Sequence, residues 1–208
     1  MHSKVIPKKI DKVLIHQYLS LNYSDQCYYW REYNPNQPHE ESDDTYSFIH
    51  NLKKCPTRKG KDEYKYKEKA IQDTIEFFRS SFNSNALHQR ITLVPIPPSK
   101  IKGDEKYDDR MTQICKGLCE NTKWDCRELI KSRKSIQPSH YSSERLKPKD
   151  LKNIFEIDSQ LINPIPSKIY LFDDVITTGA HFRACKEILQ NHISNVVVIG
   201  IFIARVTR

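Results

Sequence analysis

The stretch "KIYLFDDVITTGAHF", Lys168 to Phe182, decides the reading of this chain. Its first five residues are mostly apolar and short enough for a buried strand. Two adjacent carboxylates, Asp173 and Asp174, end that strand. Thr177, Thr178, Gly179 and Ala180 then form a turn, and an apolar face at Ala184, Cys185, Ile188 and Leu189 predicts a helix behind it. A strand, a tight glycine turn and a helix form the building block of α/β folds, in which ligands bind beyond the carboxyl ends of the strands.

The chemistry follows from that position. The first amides of a helix have no intrahelical partner and carry the positive end of the dipole, so the turn is a phosphate cradle. Gly179 permits close backbone approach, and the threonine hydroxyls add hydrogen bonds. Two carboxylates beside a phosphate would repel it unless they face something else. A vicinal diol answers that need, because carboxylates accept hydrogen bonds from hydroxyls and tolerate a nearby divalent cation. The turn therefore asks for a ribose 5-phosphate group.

Working outward, "ITLVPI" (91–96) and "NVVVIGIFIA" (195–204) read as further apolar strands, with "CRELIK" (126–131) and "NIFEI" (153–157) as shorter ones. Short apolar strands alternating with helices imply a mostly parallel sheet covered on both faces. Residues 90–208 are expected to form this α/β core. Residues 1–89 read differently and are expected to form an α+β appendage packed on it. They hold an aromatic strand in "DQCYYWREY" (25–33), a short helix over "TYSFIHNL" (45–52) and a helix marked by Ile71, Ile75, Phe78 and Phe82. The aromatic run Tyr28, Tyr29, Trp30 and Tyr33 reads as strand packing in preference to base stacking.

Composition narrows the partners. The 208 residues are 38% hydrophobic and 29% charged with a net charge of +8, a globular chain suited to an anionic partner. No apolar run follows "MHSKVIPKKIDKV" and no stretch approaches the length of a membrane span, so a cytoplasmic protein without membrane contact is expected. Cys115 and Cys119 share the stripe of Met111, Ile114 and Leu118 at helical spacing, so they read as core and no protein-held metal is expected. Lys53 to Lys69 is a basic stretch with Tyr64 and Tyr66, a pattern shared by exposed helices and single-stranded nucleic-acid sites.

"IYLFDDVITTGAH" resembles the phosphoribosyl pyrophosphate (PRPP) motif of type I phosphoribosyltransferases: four apolar residues, two acids, two further residues, then T-x-G and a small residue. "LVPIPPSK" resembles the first strand and pyrophosphate loop of that fold. "RELIKSRKSIQPSHYSSERLKPKDLKNIFEI" resembles the corresponding stretch of the branch that includes competence protein ComF, so the likeness covers about residues 91–205. The four-cysteine ribbon common in that branch has no counterpart here, and "KGDEKYDDRMTQ" matches its arginine-glycine segment loosely.

The resemblance implies a type I phosphoribosyltransferase fold and Mg²⁺-dependent transfer of ribose 5-phosphate to an amine or nucleobase, with release of pyrophosphate. It implies that Asp173 and Asp174 bind the ribose hydroxyls, that Thr177 to Ala180 bind the 5′-phosphate and that Pro98, Ser99 and Lys100 form the pyrophosphate turn, where a strained or cis peptide would be in family style. Mg²⁺ would be carried by PRPP. Arg127 to Lys152 hold eight Lys/Arg against three Asp/Glu, and Arg133, Lys134, His140 and Arg145 are the candidates for closing over the diphosphate. Alternatives are a PRPP-sensing or nucleic-acid-binding module without turnover, and an accessory subunit of a bacterial DNA-uptake or phage-defence assembly. A protein partner or homo-oligomer fits either.

Overall fold

The structure, a computed structural model, describes residues 6–36, 44–82, 84–136 and 146–207. The strands are β1 (Lys8–Lys9), β2 (Gln26–Tyr33), β3 (Thr92–Pro95), β4 (Asp125–Cys126), β5 (Ile130–Ser132), β6 (Phe155–Ile157), β7 (Lys168–Ile176) and β8 (Val197–Val206). The helices are α1 (Asp44–Leu52), α2 (Lys65–Ser81), α3 (Ser84–Leu87), α4 (Arg110–Cys119), α5 (Pro148–Ile154) and α6 (Ala180–His192).

The fold is α/β. Six strands form one mixed sheet in the order β1-β2-β8-β7-β3-β4. Only β1 runs antiparallel to its neighbour. β7 and β8 are nearly continuous apolar runs because helices cover both of their faces. One core gathers Ile169, Leu171 and Ile176 of β7 with Leu151 of α5 and Phe182, Cys185 and Leu189 of α6. The other gathers Phe172 and Ile201 with Phe48, Ile71, Phe78, Ile114 and Leu118 from α1, α2 and α4.

Residues 1–89, read from the sequence as an appendage, place a strand inside this sheet. β2 lies parallel to β8, with Gln26 opposite Ile199 and Tyr33 opposite Val206. Its alternation buries Cys27 and Tyr29 on one face and turns Trp30 to the other, where the indole stacks on Phe77 at 3.8 Å. α1 and α2 then lie on the α4 side of the sheet, as the apolar spacing of Ile71, Ile75 and Phe78 requires. Cys115 is buried in the same core and Cys119 half-buried. No group of three metal-ligating side chains occurs among the described residues. No helix among them is long and apolar enough to cross a membrane.

"CRELIK" is not one strand. β4 ends at Cys126, and β5 pairs antiparallel with β6 in a separate two-stranded sheet. The break follows from Arg127, whose guanidinium donates to the carbonyls of Leu161, Ile162 and Pro164 at 2.7–3.0 Å. The cis peptide among the described residues is Asn163–Pro164, so the Pro98–Lys100 turn lacks the one that the resemblance allowed.

Candidate functional site

The carboxyl end of β3 lies beside the middle of β7, with Pro95 in register with Phe172, and β7 runs on to Ile176 alongside β8. Asp173 follows on β7, and two hollows meet at it. One is a cavity of about 260 Å³ between the Pro97–Lys102 loop, the start of α4 and β5. The other is a small crevice over the turn into α6, lined by Thr177, Gly179, Ala180 and His181. Asp173 lines both.

The turn has the conformation its sequence asks for. Gly179 precedes α6 at φ +80°, ψ 4°, in the left-handed region. The Ala180 amide donates to the Thr178 hydroxyl at 3.3 Å. The Thr178 carbonyl accepts from the Ser20 amide at 3.0 Å, so residues 18–25 form a strap beside the turn. Asp25 anchors that strap through Lys186 at 2.6 Å and Arg183 at 3.6 Å, both on α6. A Cβ at position 179 would stand 2.7 Å from Leu21 Cδ2. Gly179→Ala is therefore expected to cost about 1–2 kcal/mol in backbone strain, with the Leu21 contact added. A urea midpoint unchanged by this substitution would remove the left-handed turn from the account.

The two aspartates do not share an environment. Successive side chains of a strand point to opposite faces. Asp173 turns to the hollows and accepts the Asp174 amide at 2.8 Å. Asp174 turns to the α1–α4 layer, where it is 5% exposed. Lys53, just after α1, reaches its Oδ1 at 3.3 Å. Arg110, the first residue of α4, donates to its Oδ2 through Nε at 3.1 Å and also through Nη2. The same guanidinium donates from Nη1 to Asp108 at 2.6 Å, and Asp108 also receives the buried Lys67 ammonium at 2.6 Å. Lys67 completes its own shell on the Lys54 carbonyl at 2.8 Å.

Charge follows from these contacts. Burial alone would raise the Asp174 carboxyl, but Lys53 and Arg110 outweigh it and hold Asp174 well below the usual carboxylate range. Among the described residues, Asp173 has no such clamp. Burial, and then the fixed Asp174 charge, push it up to about 7. His181, beside the turn, is lowered by burial and is a neutral imidazole at pH 7.

Of the residues singled out in the sequence, Asp173, Thr177, Gly179 and Ala180 come together at the crevice, and Asp173, Pro98 and Lys100 at the cavity. Thr178 is buried in the turn. Ser99 accepts the Ile136 amide at 2.7 Å, which ties its turn to the segment after β5. Arg133 is exposed and pairs with Glu156 at 2.8 Å, while Lys134 is exposed and lines neither hollow. His140 and Arg145 lie outside the described residues. Lys53, Lys67, Asp108 and Arg110 were not singled out as site residues, although Arg110 opens a clear amphipathic helix directly after two aspartates.

Comparison with protein-family models finds no match, and comparison with curated proteins finds none.

Proposed function

We propose that the protein binds PRPP with Mg²⁺ and transfers its ribose 5-phosphate unit to an amine or nucleobase, releasing pyrophosphate, on a type I phosphoribosyltransferase fold. The observation that carries this reading is Asp173. It is a carboxyl on the part of a central strand that runs past the end of β3, shared between a glycine turn at a helix N-terminus and a larger cavity. In this reading the 5′-phosphate lies on the amides of Thr177 to Ala180. The ribose hydroxyls donate to Asp173. The diphosphate lies toward Lys100 at the Pro98–Lys100 turn. Asp174 holds the strand end in place through Lys53 and Arg110. Mg²⁺ is carried by the ligand's own oxygens, as magnesium commonly is with phosphates.

A calorimetric titration of PRPP, with and without Mg²⁺, tests the binding. Wild type is expected to bind in the presence of Mg²⁺. Asp173→Asn is expected to weaken binding about 30-fold or more, the loss of about 2 kcal/mol carried by charged hydrogen bonds. Absence of binding by folded wild type, or equal binding by the variant, would sink the reading. Pyrophosphate release measured across amines and nucleobases tests the transfer. Binding without release would make the protein a PRPP sensor.

A further inference from the structure

Away from its Lys100 edge, the 260 Å³ cavity has a composition unlike that of a diphosphate site. Pro95, Pro97, Pro98, Ile130 and Met111 give it apolar walls. Four cations also line it, and three are already matched by carboxylates. Lys102 pairs with Glu128, Lys131 with Asp158, and Arg110 with Asp108 and Asp174. Among the described residues only Lys100 of the four has no carboxylate within salt-bridge distance. Lys100 can meet a diphosphate at its own edge of the cavity, but the apolar walls beyond it are poor compensation for a dehydrated anion.

The cavity suits a different guest. Asp173 stands on its wall, and so does Glu128. Glu128 accepts from the Thr112 hydroxyl at 2.9 Å and from Lys102 at 2.5 Å. Burial opposes its charge, but these donors outweigh it and keep Glu128 a carboxylate at neutral pH. The Lys102 side chain is 61% exposed, so its ammonium is a solvated, replaceable partner. The Ser132 hydroxyl, also on the wall, is buried without a hydrogen-bond partner among the described residues. The volume falls just below the usual range of small-molecule sites, which suits a small guest.

We propose that this cavity binds an amphipathic amine, its ammonium on Glu128 in place of Lys102 and its apolar body against the prolines, Ile130 and Met111. Naming that amine as the acceptor of a transferred ribose 5-phosphate rests on the function proposed above. Its binding does not.

The test uses no PRPP, so its failure and the failure of the PRPP reading are distinguishable. The chain has two methionines, Met1 and Met111, and Met111 lines the cavity. Full-length protein labelled at the methionine methyl carbons is titrated with 2-phenylethylamine, 2-phenylethanol and inorganic pyrophosphate. The amine is expected to shift the Met111 methyl signal saturably. The neutral alcohol is expected to bind about tenfold more weakly, since it lacks the charged hydrogen bond. Glu128→Gln should weaken the amine about tenfold. Lys102→Met should tighten it, because the competing ammonium is gone, and a merely structural role for Glu128 would not produce that gain. The proposal is overturned if pyrophosphate moves Met111 and the amine does not. It is also overturned if alcohol and amine bind alike, or if Lys102→Met leaves amine binding unchanged or weaker.

Discussion

Replacing Arg110 by Met is expected to lower the unfolding free energy by about 3–5 kcal/mol at neutral pH. The substitution keeps most of the side-chain volume and removes the charge that lies between two buried carboxylates. Asp174 and Asp108 have side chains only 7% and 9% exposed, and the Arg110 guanidinium donates to both. Without it, Asp174 keeps Lys53 and Asp108 keeps Lys67, one cation each. Breaking a buried pair costs more than the pair contributes, because the surviving charge stays buried without its full set of partners. The surface pair Lys69–Asp73, with Lys69 70% exposed, is the control. Lys69→Met should leave stability nearly unchanged. Urea denaturation of both variants checks the contrast, and an Arg110→Met value within the surface range would show that the network is solvated. The sign with pH is also fixed. Asp174 has a folded value depressed below its unfolded one, so its contribution is present above the unfolded value of about 4 and is lost as pH falls. Acid should therefore destabilise wild type more steeply than Arg110→Met.

What the sequence discloses and what it conceals divide along the range of the interactions. The β7 strand, the left-handed Gly179 and the start of α6 are local, and "LFDDVITTGAH" specifies them within a dozen residues. The roles of the two aspartates were half legible. Strand alternation alone puts Asp173 and Asp174 on opposite faces, which works against assigning both to one diol. Which face carries cations is not local information. Arg110 reaches Asp174 across 64 positions, and Lys67 reaches Asp108 across 41. Neither pairing has a periodicity to reveal it. β2 shows the same limit. Its aromatic alternation marks a strand, but parallel pairing with β8 needs a partner from the far end of the chain. "CRELIK" misleads for the opposite reason. The apolar Leu129 and Ile130 continue the pattern of a strand, while the carbonyls that draw Arg127 aside lie more than thirty residues further on.

Asp173→Asn should make the protein more stable at pH 8 while removing the carboxylate on which the proposed ligand depends. Burial first, and then the Asp174 charge, raise Asp173 to about 7 from an ordinary value of 3.8. Lys53 and Arg110 pull the other way, but both are spent on Asp174. A carboxyl raised on folding favours the native state only while protonated. Its contribution is full below the unfolded value near 4 and is lost as pH rises through 7. Asparagine keeps the acceptor for the Asp174 amide and never ionises. The stability gap between variant and wild type should therefore vanish below about pH 4, widen between pH 4 and 7, and level off above that at roughly 2–4 kcal/mol. Denaturation series at pH 4, 6 and 8 read this directly, and equal stabilities at pH 8 would show that Asp173 carries no strain. A carboxylate held at the expense of stability is the physical mark of a group retained for binding or chemistry. The same variant then separates the causes of a lost activity. A protein that melts higher than wild type and no longer binds PRPP has not failed to fold, so the loss belongs to the Asp173 carboxylate itself.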